Sequence, residues 1–414
     1  MLSGDIGRVH AFPVAGDTGD LCGSAASHQW QRALDGCEKG RTFETWERKT
    51  YEMKVLILTG KFGMGHTSAA EALREEIEEE PEVFVTTVDI LFYLLPTAAG
   101  LIYKVFNNMS GRFRRLYNLA NRLDERYTIA PMRRWFFRKF KGLLAEEEPD
   151  VVISTLPVAA KYMGAYREKS EGEICFITCI TDILPHNQWI SDGTSAYMVG
   201  DEMTRRMLME KGVPPEKIFV GGIPVKKAFR EETTEPHVSR CGEKEVLVMG
   251  GGLGLIPGAE GIVGELRKIP GVHVTVIAGN NTELRGKLEA RYSDIEVTGY
   301  TGRVAEYMRR ADLLVSKAGG VTLFEAIYSG TPMLALHPFL EQEKTNAQML
   351  EEEDIGVVMD RKRWRYGKQI REILTDEAGL EGMRENMRRI RESCDANSIT
   401  GIIRSMRDRR EEMR

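Results

Sequence analysis

Residues 316–347 read SKAGGVTLFEAIYSGTPMLALHPFLEQEKTNA, and their order decides the fold class. The apolar run Asp312–Val315 enters this stretch as a strand. Ser316 to Gly320 form a turn, Val321 to Ser329 predict a helix, and Thr331 to His337 predict the next strand. Thr322 has capping-box spacing with Glu325, three residues on. A glycine turn opening a helix leaves N–H groups unpaired at the positive end of the helix dipole, which is a seat for phosphate. Gln342, Glu343 and Asn346 follow the second strand on a polar loop that offers hydrogen bonds to hydroxyls. In open parallel sheets, ligands lie beyond the carboxyl ends of strands. The combination suits a nucleotide-sugar, with diphosphate on the turn and sugar hydroxyls on the loop. The competing reading is a structural turn whose glycines serve packing alone.

The same grammar extends outward. From Met53, short Val/Ile/Leu runs alternate with amphipathic segments, the signature of buried parallel strands. Strands are predicted at Val55–Thr59, Val83–Val88, Val151–Thr155, Ile174–Ile180, Ala196–Val199 and Ile218–Val220. The series restarts after the polar stretch Arg230–Lys244 with Glu245–Met249, His273–Ala278, Ile295–Thr298, Asp312–Ser316, Met333–His337 and Gly356–Met359. The expected architecture is α/β, two facing Rossmann-like domains with parallel sheets and a cleft between them. Their bounds are 53–228 and 229–396. Residues 1–52 lack periodicity and read as a non-native or disordered extension ahead of Met53. Residues 397–414 read as a charged surface helix or tail.

The chain has 414 residues, a net charge of −5 and a hydrophobic fraction of 42%, an ordinary composition for a water-facing protein. No apolar run reaches the ~20 residues of a membrane-spanning helix. The six cysteines show no metal-ligand spacing, and no metal is expected. Cys175 and Cys179 sit in a strand-like run as buried thiols, which favours a reducing cytoplasm.

Two further glycine loops follow strands. Gly60-Lys61-Phe62-Gly63-Met64-Gly65-His66 follows the first, with Ser68 and Glu71 at capping-box spacing and Ala70, Leu73 and Ile77 as an inward stripe. Gly250-Gly251-Gly252-Leu253-Gly254 follows the seventh. Gly63-x-Gly65 with Asp89 partly imitates a dinucleotide fingerprint, but Ser68 replaces the third glycine and His66 occupies the pyrophosphate approach. A histidine entering a helix at its N-terminus has a lowered pKa and suits removal of a proton from a hydroxyl. The alternative is a loop histidine that bonds a backbone carbonyl.

Residues 100–141 are basic and aromatic in an otherwise acidic chain. Arg133, Arg134 and Arg138 surround Trp135, with Lys104, Tyr103, Phe136 and Phe140 nearby. That pattern describes an interfacial segment on an anionic leaflet. The apolar run Leu91–Ile102 leads into it. A pair of packed, solvated helices is the plainer reading, and no recognition motif supports nucleic acid.

These residues resemble the monogalactosyldiacylglycerol synthase and processive diacylglycerol glucosyltransferase family, related to MurG-type enzymes of glycosyltransferase family 28 with the GT-B fold. The resemblance runs from Met53 to about Ala396. It rests on Val55–Thr59 with Gly63-Met64-Gly65-His66, on Pro149–Thr155, on Thr181-Asp182 with Trp189, and on Lys317–Thr322, Glu325-Ala326, Gln342-Glu343 and Asn346. It implies inverting, metal-independent transfer of a hexose from UDP-glucose or UDP-galactose to diacylglycerol or a glycosyldiacylglycerol. It further implies peripheral attachment to the inner face of the cell membrane. By the resemblance, His66 lies at the acceptor hydroxyl as base or orienter, with Gly65, Asp182 and Trp189 on the acceptor side. Gly251, Gly252, Gly319, Gly320 and Val321 line the diphosphate through N–H groups, and Thr322 adds a hydroxyl. Glu325 takes the ribose, and Gln342 and Glu343 hold the donor sugar, with Asn346 beside them. Ala318 stands where the family commonly has proline. A soluble UDP-sugar epimerase of the same fold and a transferase acting on a polyprenyl-linked cell-wall precursor are the alternatives.

Overall fold

A computed structural model describes residues 53–112, 133–167, 174–231 and 243–412. The expected extension 1–52, the centre of the basic aromatic segment and most of the polar stretch after Arg230 lie outside the described residues. The described chain holds two six-stranded sheets, every pairing parallel.

The front sheet has the order β2-β1-β3-β4-β5-β6, from β1 (Met53–Thr59), β2 (Val83–Asp89), β3 (Val151–Ser154), β4 (Cys175–Cys179), β5 (Ala196–Val199) and β6 (Ile218–Val220). The rear sheet has the order β12-β11-β10-β7-β8-β9, from β7 (Lys244–Met249), β8 (Val272–Ile277), β9 (Glu296–Thr298), β10 (Leu313–Ser316), β11 (Met333–Ala335) and β12 (Gly356–Val358). All twelve predicted strands form, each bound within two residues of expectation. The apolar runs of the inner strands, β1, β3, β4 and β5 in front and β7, β8, β10 and β11 behind, are largely buried on both faces, as helix-covered parallel strands require, while the edge strands are only partly covered.

The strand orders place the site. In the front sheet the order reverses between β1 and β3, and in the rear sheet between β7 and β10. Such switch points open a crevice at the carboxyl ends of the strands. The loop after β1 carries Gly60–Met64, and the loops after β7 and β10 carry Gly250–Gly254 and Lys317–Gly319. All three glycine turns therefore sit at switch points.

Helix starts differ from expectation. α1 (Gly65–Ile77) begins directly on the glycine loop, with Met64 at its N-cap and no side-chain cap. Ser68 is already inside the helix, its N–H bonded to the Met64 carbonyl at 2.9 Å, so the Ser68–Glu71 capping box does not form. The inward stripe does form, with Ala70, Leu73 and Ile77 buried. Two more front helices, α2 (Ala99–Arg112) and α3 (Arg133–Glu147), belong to the basic aromatic segment. In the rear half, α4 (Gly320–Ser329) starts at Gly320 behind an extended Gly319, so Thr322 lies in the first turn rather than at the cap. The polar run after β11 is not a loop but the start of α5 (Glu341–Glu352).

The C-terminal end also departs from the expectation of a solvated helix. α6 (Ile399–Glu412) buries Ile399, Ile402 and Ile403 in the front core beside Val55, Ile57 and Ala70. Asn397, just before it, donates to the Val220 carbonyl at 3.1 Å. The chain end thus returns from the rear half to stitch the front one. Its short isoleucine face was hidden among arginines.

Candidate active site between the two sheets

The cleft between the sheets has a volume of about 420 Å³. Its walls carry Gly65, His66, Thr181 and Asp182 from the front half and Gly251, Gly252, Gly319–Thr322, Glu325, Gln342, Glu343 and Asn346 from the rear. Among the expected site residues outside the basic patch, Trp189 alone is missing from the walls.

Two helix N-termini meet here. In α1 the first intrahelical bond is Ser68 N–H to Met64 C=O, and in α4 it is Leu323 N–H to Gly319 C=O at 2.9 Å. The N–H groups of Gly65, His66 and Thr67 on one side, and of Gly320, Val321 and Thr322 on the other, precede those bonds and have no helical partner. The ends are close: a Cβ at Gly65 would stand 3.6 Å from Val321 Cγ2, and one at Gly252 would stand 2.9 Å from Met64 Cγ. The result is a positive concavity suited to a diphosphate. Gly319 is the exception among the expected donors, because its N–H is already given to the Lys317 carbonyl at 2.8 Å. Gly320 has a second reason to be glycine. A side chain there would collide with the Thr181 carbonyl of the front half. Gly251, at φ +66°, makes the left-handed bend that closes the β7 turn.

His66 is half-buried on the front lip. Its Nδ1 lies 2.9 Å from Thr181 Oγ1, and its carbonyl accepts from Thr59 Oγ1 at 3.0 Å. Burial pushes the ring pKa down to about 4; a bond to the Thr155 backbone acts in the opposite direction, and His186 lowers it further. The ring is therefore neutral at pH 7. The expected cause, a helix N-terminus, yields to burial as the main one. Trp189 lies behind this lip: it is fully buried, with its ring 6.1 Å from that of His66. Its indole Nε1 has no hydrogen-bond partner among the described residues. It backs the histidine instead of facing the cleft.

Asn346 is buried, and both ends of its amide are used. Its oxygen accepts the Ile183 N–H at 3.1 Å, and its nitrogen donates to the Ala318 carbonyl at 2.9 Å and to Asp182 Oδ1 at 3.4 Å. This places it as a brace between the halves rather than as a free sugar-reading group. Burial pushes Asp182 up to about 6, against the Asn346 bond that lowers it and with Glu343 raising it. Glu343 turns back on its own helix: Oε2 accepts the N–H groups of Phe339 and Leu340 at 3.1 and 3.3 Å, while Oε1 faces Lys317 at 3.9 Å. Glu325 is half-buried on α4. Burial lifts its pKa to about 7, and the nearby Lys226 ammonium acts to lower it.

Sequence reasoning missed Thr181 as the partner of His66, and it missed Lys226 and Lys317. Lys226 lines the cleft and pairs with Glu71 at 2.5 Å, so Glu71 holds a cation instead of capping α1. No local motif marks Lys226; it stands at the start of the short helix Lys227–Arg230 that follows β6. No cluster of three or more His, Cys, Asp or Glu able to hold a metal occurs among the described residues.

Of the basic segment, Phe136 and Phe140 are buried against Tyr162, while Trp135 is 43% exposed and Arg138 is exposed. Lys139 stands over the Trp135 ring at 4.6 Å. Arg133 and Arg134 open α3, and their side chains lie outside the described set. In the apolar run, Leu94 is buried while Phe92 and Leu101 face outward. No helix among the described residues is long and apolar enough to cross a membrane.

Two parallel sheets facing across such a cleft define a GT-B protein of the sugar-nucleotide class. Among solved structures, the chain is similar to Acinetobacter baumannii MurG (TM-score 0.58, 16% identity, 86% of this chain and 99% of that one). It is also similar to a Neisseria meningitidis UDP-GlcNAc 2-epimerase bound to UDP-GlcNAc (TM-score 0.56, 14% identity, 86% and 100%). Those likenesses establish the fold alone. The family comes from sequence. Residues 66–225 match the monogalactosyldiacylglycerol (MGDG) synthase model and residues 246–396 match the glycosyltransferase family 28 C-terminal domain. Relatives called processive diacylglycerol beta-glucosyltransferase include that of Bacillus licheniformis, 27% identical over 84% of this chain and 94% of the relative. Another, from Bacillus subtilis, is 27% identical over 81% and 90%. The chain belongs to the monogalactosyldiacylglycerol synthase and processive diacylglycerol glucosyltransferase family, and it is a glycosyltransferase of the GT-B fold.

Proposed function

We propose that this chain transfers a hexose from a UDP-sugar to the free hydroxyl of diacylglycerol or a glycosyldiacylglycerol, with inversion and without a metal ion, at an anionic membrane surface. One observation carries the reading: two helix N-termini, each on a glycine turn at a sheet switch point, face one another across a cleft with His66 on the acceptor lip. The diphosphate of UDP rests against the N–H groups of Gly320, Val321 and Thr322, and Gly251 and Gly252 line the opposite bend. Glu325 accepts from the ribose, and Gln342 with Oε1 of Glu343 meets the hexose.

In the reaction, the lipid hydroxyl oxygen bonds to the anomeric carbon. The bond from that carbon to the β-phosphate oxygen breaks, and UDP departs with the electron pair. Attack from the face opposite the leaving group inverts the centre. The hydroxyl proton passes to the His66 imidazole. A ring whose pKa is about 4 is a weak base when the cleft is empty. The diphosphate changes that, because negative charge within a few Å favours the imidazolium. Donor binding therefore raises the basicity of His66 at the moment it is needed. Charge developing on UDP meets fixed N–H dipoles, which stabilise it without reorganisation.

The test is to incubate the protein with radiolabelled UDP-glucose or UDP-galactose and anionic vesicles containing diacylglycerol. Label should enter the organic phase with one donor. Absence of lipid label with both donors refutes the transferase reading, and conversion of UDP-N-acetylglucosamine without lipid supports the epimerase instead.

A further inference from the structure

The rear half carries a second basic aromatic feature, remote in sequence from the first. Residues 360–372 hold six Lys or Arg against two carboxylates, in a chain whose net charge is −5. At their centre Trp364 is 72% exposed, more than any other large hydrophobic residue among those described. Leaving most of an indole in water forgoes its large burial energy, and an exposed Trp flanked by cations suits a contact with an amphipathic partner. Lys362 Nζ and Arg365 Cζ stand 5.9 and 5.0 Å from the ring.

The cations are not equivalent. Arg365 pairs with Asp360 at 3.0 Å, Lys368 pairs with Glu372 at 3.5 Å, and Arg363 folds over Gly261. Arg361 and Lys362 form no ion pair among the described residues, so their charge is available to a partner.

The position is informative. These residues follow the carboxyl end of β12, beside β11, on the side of the rear sheet that opens on the cleft. The path between is short. Leu340 lines the cleft and Phe339 beside it is 50% exposed. The Phe339 ring lies 5.8 Å from that of His337, whose pKa is lowered first by burial and further by the nearby Arg361 charge. The front lip is built alike. Phe62 lines the cleft and packs on Tyr103 at 4.9 Å; Tyr103 packs on the outward-facing Phe92 at 5.7 Å, and Lys61 covers Phe92 at 5.3 Å.

We propose that Trp364, with Arg361 and Lys362, is a second membrane anchor, on the donor half, that seats in the headgroup layer of an anionic leaflet. An indole with one wet edge suits that depth, and neighbouring cations suit anionic headgroups. Two anchors, one on each lip, hold the mouth of the cleft against the bilayer in which the acceptor lies. The inference rests on the membrane reading proposed above and adds the rear half to it.

The experiment uses the full chain and vesicles of phosphatidylcholine with and without phosphatidylglycerol. Wild type binds the anionic vesicles, and Arg361→Ala/Lys362→Ala lowers that affinity about 25-fold, at about fivefold for each cation. The affinity for UDP stays unchanged, which shows the variant is folded. With brominated lipid, Trp364→Phe loses a share of the tryptophan quenching seen in wild type. If wild type binds no anionic vesicles, the membrane reading and this one fall together. If wild type binds while the double variant matches it, or quenching is equal with Phe at 364, the rear anchor alone is refuted. Retention on heparin without vesicle binding also overturns it, in favour of a polyanion partner.

Discussion

Replacing Glu325 by glutamine should stabilise the empty protein while weakening its grip on UDP. The ordinary carboxyl value of 4.5 is lifted to about 7 at this position, chiefly by burial. A carboxyl with a raised folded pKa holds its proton more tightly in the folded than in the unfolded chain. The penalty for ionising it is therefore absent below about pH 4.5, grows through the interval, and is complete above about pH 7. Each unit corresponds to 1.36 kcal/mol, so the gross penalty is about 3 kcal/mol. Part of the side chain remains open to the cleft, and about 2 kcal/mol is the expected residue after screening. Glutamine resembles the protonated acid at every pH. Glu325→Gln should therefore match wild type at pH 5 and exceed it by about 2 kcal/mol at pH 8, read by denaturant unfolding at both values. Titration calorimetry should show the reverse for UDP, weaker by about 1–3 kcal/mol at pH 8, where the charged hydrogen bond to ribose is missing. Wild-type affinity should rise through pH 7 and that of the variant should stay flat. A variant less stable than wild type at pH 8, or one whose UDP affinity is unaltered, would show that Glu325 is a structural carboxylate and not a ligand for ribose.

Three other outcomes follow from the same geometry. His66→Ala should abolish transfer with UDP affinity nearly unchanged; a variant that still transfers the hexose, or one that no longer binds UDP, contradicts the role given to His66. Gly320→Ala drives a methyl into the Thr181 carbonyl, so the halves must separate; a loss of about 1–3 kcal/mol in stability and a larger scattering radius are expected, and an unaltered radius with full activity would rule out close packing there. Asn346→Leu leaves the Ile183 N–H and the Ala318 carbonyl unpaired, a cost of about 2–4 kcal/mol, and should raise KM for the donor; normal stability would remove Asn346 as the brace.

The strands were legible because burial on both faces writes itself as unbroken Val, Ile and Leu, at Val55–Leu58 as at Leu313–Val315. Glycine turns were legible because few other residues fit such bends. Helix starts were less so. Thr322 and Ser68 have the spacing of caps, yet in each case the glycine turn feeds the helix directly and places the hydroxyl inside the first turns. Trp189 is part of a familiar motif, but a motif does not say which face of a residue is buried.

Composition and period alone determined that this chain makes two wound sheets with glycine turns after their strands, since those properties depend on neighbours a few residues apart. Only the folded molecule decided what joins them. Thr181 reaches His66 across 115 positions, Asn346 reaches Asp182 across 164, and α6 returns to the front core from the far end of the chain. Contacts of that range leave no periodic trace, because the strand order, not the spacing of residues, brings their partners together.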